Sequence, residues 1–350
     1  MEGEMTPEID KSLPPNEWYP REEVELEHGK LDVMDIKPEK LREEKDVPLV
    51  SILGFGTGNV ALARTFSELQ KSGEHVLGVD FVGGGKRVEG EDGTSTEFNR
   101  QGELLYQYLS KYLEENPHID KIDFMTQSAG LLRVLAMTKL HPEFIPKIRN
   151  LIMYSPVGIY EKGGFKGVPG MIDLGRRFRA EDKRYKKSEN KSEFDQENAD
   201  SLKKANERMM DFKKPGHIIK ALMEVNAMAR SCAYPTLEVL DAAGVNIGVI
   251  QGDSDKLASA EMLFQRIGKD YESPFIKSSE TPSGFHWVEK DQKEPPIDVV
   301  RLVGGGFYKW ENEEERKGMV EIPGGHGIQV DSPESASKDI MQTKDYLNSI

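Results

Sequence analysis

Thr126-Gln127-Ser128-Ala129-Gly130 is the segment of this 350-residue chain best suited to covalent chemistry. It lies where one apolar run, KIDFMTQ (121–127), meets another with helical spacing, SAGLLRVLAMTKL (128–140). A serine becomes an attacking group when a sharp strand-to-helix turn lifts its hydroxyl above a sheet edge, and such a turn leaves no room for large neighbours. A helix starting there also aims its N-terminal dipole and free N–H groups at developing negative charge. An ordinary helix-capping serine is the competing reading of the same residues. A second cluster, Gly54-Phe55-Gly56-Thr57-Gly58, follows the apolar run VPLVSIL (47–53). It lacks both the GxGxxG spacing and the Gly-Lys-Ser/Thr ending, which argues against a dinucleotide or phosphate loop and leaves a tight strand-to-helix turn. The one cysteine, Cys232, allows neither an intrachain disulfide nor a cysteine-based metal site, and reads as a small buried hydrophobe.

These residues need elements to hold them, and the chain supplies a rhythm of strand, glycine and helix. Val24 and Leu26 alternate with acids before His28-Gly29, and Leu31, Val33 and Ile36 continue beyond, which predicts an antiparallel hairpin. Continuous apolar runs at 47–53, 75–81, 121–127, 150–156 and 245–252 predict strands buried on both faces. Amphipathic stretches at 60–73, 97–115, 128–140 and 235–243, with another near 259–268, predict helices between them. GMVEIP (318–323) reads as a last strand, and Pro333 after Ser332 opens a terminal helix. Residues 272–318 are ambiguous, although VVRLVGGGFYKW could form a strand pair. Alternating β and α units of this length predict an α/β fold, a mainly parallel central sheet flanked by helices.

Composition narrows the function classes. With 47 Lys and Arg against 61 Asp and Glu, the formal net charge is −14. An acidic surface repels phosphate backbones and anionic headgroups, so nucleic acid is not an expected partner. The acidic N-terminus has no apolar run resembling a secretory signal, and no stretch approaches the roughly 18–20 apolar residues that span a bilayer. A cytoplasmic location without an integral membrane segment is the resulting expectation.

With these surroundings, the serine turn resembles the Gly-x-Ser-x-Gly nucleophile turn of the α/β-hydrolase superfamily over most of residues 22–160 and 235–350. Thr126 stands at the family's first glycine, and Leu53 stands where the family usually has a histidine. Asp80, Gly83 and Gly85 resemble its structural Asp-x-x-Gly-x-Gly turn. The resemblance implies that Ser128 is the nucleophile and that the N–H groups of Phe55 and Ala129 form an oxyanion hole. In the family's chain order, serine, acid, histidine, VIQGDSDKL (249–257) points to Asp255 as the acid, with Asp253 the alternative. VEIPGGHGIQV (320–330) points to His326 as the base, with His286 in SGFHW the alternative. No metal or organic cofactor is implied.

Residues 1–20, rich in Pro, Glu and Asp and without a period, read as an N-terminal tail, and the resemblance implies a core (21–160 and 232–350) with a helical cap (161–231). The cap contains Arg176, Arg177, Arg179, Arg184, Lys186 and Lys187, which read as a solvated lid face or as an attractor for an anionic substrate or a membrane surface. Met171, Ile172, Leu174 and Phe178, with Met209, Met210, Met223 and Met228, could cover an acyl chain, although helical methionines are more often core. The activity implied is a serine hydrolase cleaving a carboxylic ester of a small or lipid-like molecule. Acyl transfer, peptide-bond cleavage, or a fold that binds a ligand without catalysis are the alternatives, because fold alone does not decide function.

Overall fold

The computed structural model describes residues 17–54, 58–82, 86, 88–89, 96–157, 228, 233–250, 275–278, 286–289 and 333–349. Seven strands form one sheet: β1 (Glu22–Leu26), β2 (Gly29–Ile36), β3 (Leu49–Ile52), β4 (Val76–Val82), β5 (Ile122–Gln127), β6 (Ile148–Tyr154) and β7 (Asn246–Ile250). Their order across the sheet is β1-β2-β4-β3-β5-β6-β7. The hairpin strand β2 runs antiparallel to β1 and β4, and every pair from β4 to β7 is parallel. A separate antiparallel pair joins β8 (Phe275–Ser278) to β9 (His286–Glu289).

The strands follow from their residues. All four residues of β3 and all six of β5 are buried, as expected of central parallel strands covered on both faces. Strand β1 is the reverse: it alternates, exposes its glutamates, and lies at the edge, where Lys30 of β2 bridges Glu23 and Glu25 at 2.7 and 2.6 Å. Charge on an edge strand discourages pairing with other chains.

Helices cover the two faces as two apolar layers. On one face α2 (Glu97–Glu115) and α3 (Gly130–Leu140) pack Leu104, Leu105, Leu109, Leu131, Val134 and Leu135 against Val50, Leu77, Phe124 and Leu151. Leu237 and Leu240 of α4 (Tyr234–Ala242) join this layer. On the other face α1 (Ala63–Lys71) and α5 (Pro333–Ser349) pack Phe66, Leu69, Ile340 and Leu347 against Leu49, Val76, Met125 and Ile152. Burying one such side chain stabilises the fold by about 1.5–3 kcal/mol, so the layers dominate the energetics. Thr96 caps α2 by accepting the Asn99 N–H at 3.1 Å, a contact worth about 1 kcal/mol.

Several expectations shift in detail. The helix expected over 60–73 opens with a 3₁₀ turn, Asn59–Leu62, before α1. The helix expected to start at Ser128 starts at Gly130, because Ser128 is in a left-handed conformation that an α-helix cannot accept. In the ambiguous stretch a strand pair not expected from the sequence lies at 275–278 and 286–289, and VVRLVGGGFYKW lies outside the described residues. The end of the tail packs against the body: Tyr19 is buried and donates to Gln70 Oε1 at 3.3 Å, and Arg64 lies over the Trp18 ring. Met228 is buried in the α2–α3 layer. The rest of the expected cap, Cys232, the helix near 259–268 and the strand at 318–323 lie outside the described residues. Among the described residues, no helix is long and apolar enough to cross a membrane.

Candidate active site

The site lies where the chain changes direction across the sheet. After β3 the chain passes through α1, on one face, to β4 on one side of β3. It then returns through α2, on the opposite face, to β5 on the other side of β3. Loops leaving β3 and β5 therefore diverge toward opposite faces, and in open α/β sheets ligands bind in the crevice this opens at the strands' carboxyl ends. Both glycine-containing turns singled out in the sequence, after β3 and after β5, lie at this point.

Ser128 follows β5 with φ of +53°, one of two non-glycine residues with positive φ among the described residues. The left-handed conformation costs about 1–2 kcal/mol for a residue with a Cβ. Neighbouring strands hold it there: the Ser128 N–H donates to the Tyr154 carbonyl at the end of β6 at 3.0 Å, and its carbonyl accepts from the Val157 N–H at 3.4 Å. The other such residue, Ser155 with φ of +43°, immediately follows the adjacent strand β6 and donates its N–H to the Ile250 carbonyl at 2.8 Å.

The turn needs glycine on both sides. A Cβ at Gly130 would lie 2.1 Å from the Ile52 carbonyl oxygen, and one at Gly54 would lie 2.6 Å from Ser128 Cβ and 3.1 Å from Ser128 Oγ. Gly54 thus allows the loop after β3 to lie directly against the serine. Thr126, in place of the family's glycine, is accommodated within the sheet: it is buried, and its hydroxyl donates to the Ile152 carbonyl at 3.4 Å. Ala129, also buried, precedes the first residue of α3, so Ser128 stands at the positive end of that helix.

Polar groups, of which Arg133, Gln101 and Asn59 were absent from the sequence reading, hold the two ends of the loop after β3. Arg133, buried on α3, donates through Nη1 to the carbonyls of Leu53 and of Gly54, the latter at 3.3 Å. Its Nε donates to Gln101 Oε1 at 2.6 Å, and its guanidinium lies 5.3 Å from the centre of the Phe81 ring. The Gly54 N–H donates to Gln127 Oε1 at 3.3 Å. At the loop's far end, the Asn59 N–H donates to both Asp80 carboxylate oxygens at 2.9 Å. The Asn59 side-chain amide donates to the carbonyls of Ser51 and Val79 at 3.2 and 3.1 Å. Burial raises the Asp80 carboxyl to a pKa of about 7, against the opposing effect of the bonds from Asn59. The structural role expected of Asp80 is therefore that of an anchor for Asn59. One signal for Arg133 was present in the sequence, a lone arginine within the apolar run from Leu131 to Met137.

Of the residues expected to act together, the structure describes Ser128 and Ala129 with their side chains, and the backbone of His286, which opens β9 opposite Ser278. Phe55, Asp253, Asp255, His326, Gly83 and Gly85 lie outside the described residues. Among the described residues, no group of three or more His, Cys, Asp and Glu side chains could hold a metal ion.

Comparison with solved structures gives the class of fold. The chain is similar to an esterase from Thermogutta terrifontis, at 14% identity and TM-score 0.51 over 93% of this chain and 99% of that one. It is similar to a bromoperoxidase from Bacillus anthracis, at 14% identity and TM-score 0.53 over 93% and 100%. An esterase from Exiguobacterium antarcticum gives 15% identity and TM-score 0.51 over 91% and 96%. The chain has the α/β-hydrolase fold. No protein-family model matches it, and no curated protein is similar to it in sequence at a significant level.

Proposed function

We propose that the protein is a serine hydrolase that cleaves a carboxylic ester of a small or lipid-like substrate through an acyl-enzyme on Ser128. The observation that carries this reading is the left-handed Ser128 at the end of β5, with Gly54 of the neighbouring turn packed directly against it. A strained serine at the switch point of an α/β sheet suits a nucleophile better than a cap, because a cap has no need of positive φ. Two of the proteins similar in fold are esterases.

On this reading His326 takes the proton from Ser128 as the hydroxyl attacks the ester carbonyl carbon. Asp255 orients the imidazole and stabilises its charged form. The N–H groups of Ala129 and Phe55 hold the oxyanion of the tetrahedral intermediate. The alcohol leaves with a proton from His326, and water attacks the acyl-enzyme by the same route in reverse.

A fluorophosphonate probe tests the nucleophile. Wild-type protein is expected to be labelled, and Ser128→Ala is expected to lose labelling and at least about 10⁴-fold in ester turnover. Labelling that persists in the alanine variant would remove Ser128 from the role, and an unlabelled wild type would leave a binding protein on this fold. His326→Ala is expected to match the serine variant while His286→Ala retains turnover. The opposite pattern would transfer the base to His286.

A further inference from the structure

We propose that Arg133 is a positioning residue for ester cleavage, which fixes the peptide plane between Gly54 and the oxyanion-hole residue of the loop after β3. The inference rests on the serine-hydrolase reading above and concerns how the loop after β3 is aimed.

One guanidinium nitrogen of Arg133 binds two successive carbonyls, those of Leu53 and Gly54. Carbonyls of successive peptide groups seldom point the same way in extended chain, where they alternate. A trans peptide carries its N–H on the edge opposite its carbonyl. Drawing the Leu53 carbonyl to Arg133 therefore turns the Gly54 N–H to the other edge of the chain. That N–H reaches Gln127 Oε1, on the residue immediately before the serine. Arg133 and Gln127 thus grip one peptide plane from its two edges. The Gly54 carbonyl, also held by Arg133, belongs to the peptide that carries the N–H assigned to the oxyanion hole in the reading above.

The side chain is built for a fixed orientation. Arg133 is 3% exposed, its Nε is held by Gln101 Oε1 at 2.6 Å, and Gln101 in turn donates to Glu97 Oε1 at 3.1 Å. Phe81 lies against the guanidinium at 5.3 Å. Without the arginine, the carbonyls would lose the cation that draws them off the serine side. A carbonyl rotated toward Ser128 would present negative charge where the oxyanion forms.

The test uses the full chain with p-nitrophenyl butyrate, counting active sites by fluorophosphonate titration and following thermal unfolding in parallel. In Arg133→Met, kcat per titrated site is expected to fall about 10²-fold with KM little changed, the signature of an interaction made in the transition state. Arg133→Lys keeps a donor for the carbonyls but not the fork, and is expected to restore part of that loss. If the methionine variant does not fold, Gln101→Leu is measured instead. It keeps the charge and removes one restraint on the guanidinium, and a fall of about tenfold in kcat is expected. An arginine that serves only stability would lower the unfolding midpoint and leave kcat per site unchanged, which overturns the inference while wild-type labelling still upholds the serine. A wild type that takes no label ends both.

Discussion

The two ends of the parallel sheet use buried polar groups in opposite ways. At the amino ends of the strands, Lys344 of α5 is 2% exposed and reaches Glu74, Glu43 at 3.1 Å and Asp123 at 3.3 Å. Arg149 at the start of β6 meets Asp123 and Glu43, each at 2.5 Å. Nearby His75 stands between Asp35 at 2.7 Å and Asp46 at 2.9 Å. This end is closed: cations and carboxylates pair across segments far apart in sequence, with Glu74 Oε1 buried 3.9 Å from Arg42 and without a hydrogen bond. At the carboxyl ends, polar groups converge on backbone, and what they hold is a strained hydroxyl and a glycine loop. The difference teaches where strain is placed. One end ties the last helix to the sheet, and the other spends part of that stability on a conformation the chain would not adopt alone.

The largest test of this contrast is Lys344→Met. It retains the stem and leaves Glu74, Asp123 and Glu43 facing one another, and it is expected to cost about 3–5 kcal/mol in urea unfolding. Burial by itself would lower the Lys344 pKa, but Asp123, Glu74 and Glu43 outweigh it and raise it. A loss no greater than about 1 kcal/mol, typical of surface pairs, would mean that this end is not closed.

The next effect is carried by pH. Burial pulls the His75 pKa down, yet the bonds to Asp35 and Asp46 outweigh burial and raise it from 6.5 to about 9. A pKa raised on folding contributes stability that is complete below pH 6.5 and is lost as pH rises through about 9. The loss is of the order of 3 kcal/mol. Unfolding midpoints measured across this window should fall further in wild type than in His75→Gln; parallel curves would break the assignment.

The smallest effect belongs to the other end. Ser128→Gly removes the Cβ from a left-handed residue and is expected to stabilise the protein by about 1 kcal/mol while abolishing fluorophosphonate labelling. A destabilised glycine variant would show that the turn carries no strain, and the contrast between the ends would lose its basis.

Much of the fold was legible because its signals are local. Continuous apolar runs marked β3 to β7, the span of α2 was read as 97–115, and the hairpin around Gly29 was visible in alternation. Thr126-Gln127-Ser128-Ala129-Gly130 marked the turn, and the clash that a Cβ at Gly130 would make with Ile52 explains its last glycine. What escaped depends on topology. Nothing in sequence places Lys344 beside Glu74, 270 positions away, or Arg133 beside the carbonyl of Leu53, 80 positions away. The start of α3 was misplaced by two residues because a positive φ at serine is imposed by neighbouring strands and has no propensity of its own.

The charged edge at β1 bears on how copies of the chain meet. Glu22, Glu23 and Glu25 line the outermost strand, so two copies joined there in antiparallel register would set rows of carboxylates against each other. The sheet is therefore sealed against continuation through that margin. Charge along that margin disfavours an assembly of copies built by continuing the sheet there.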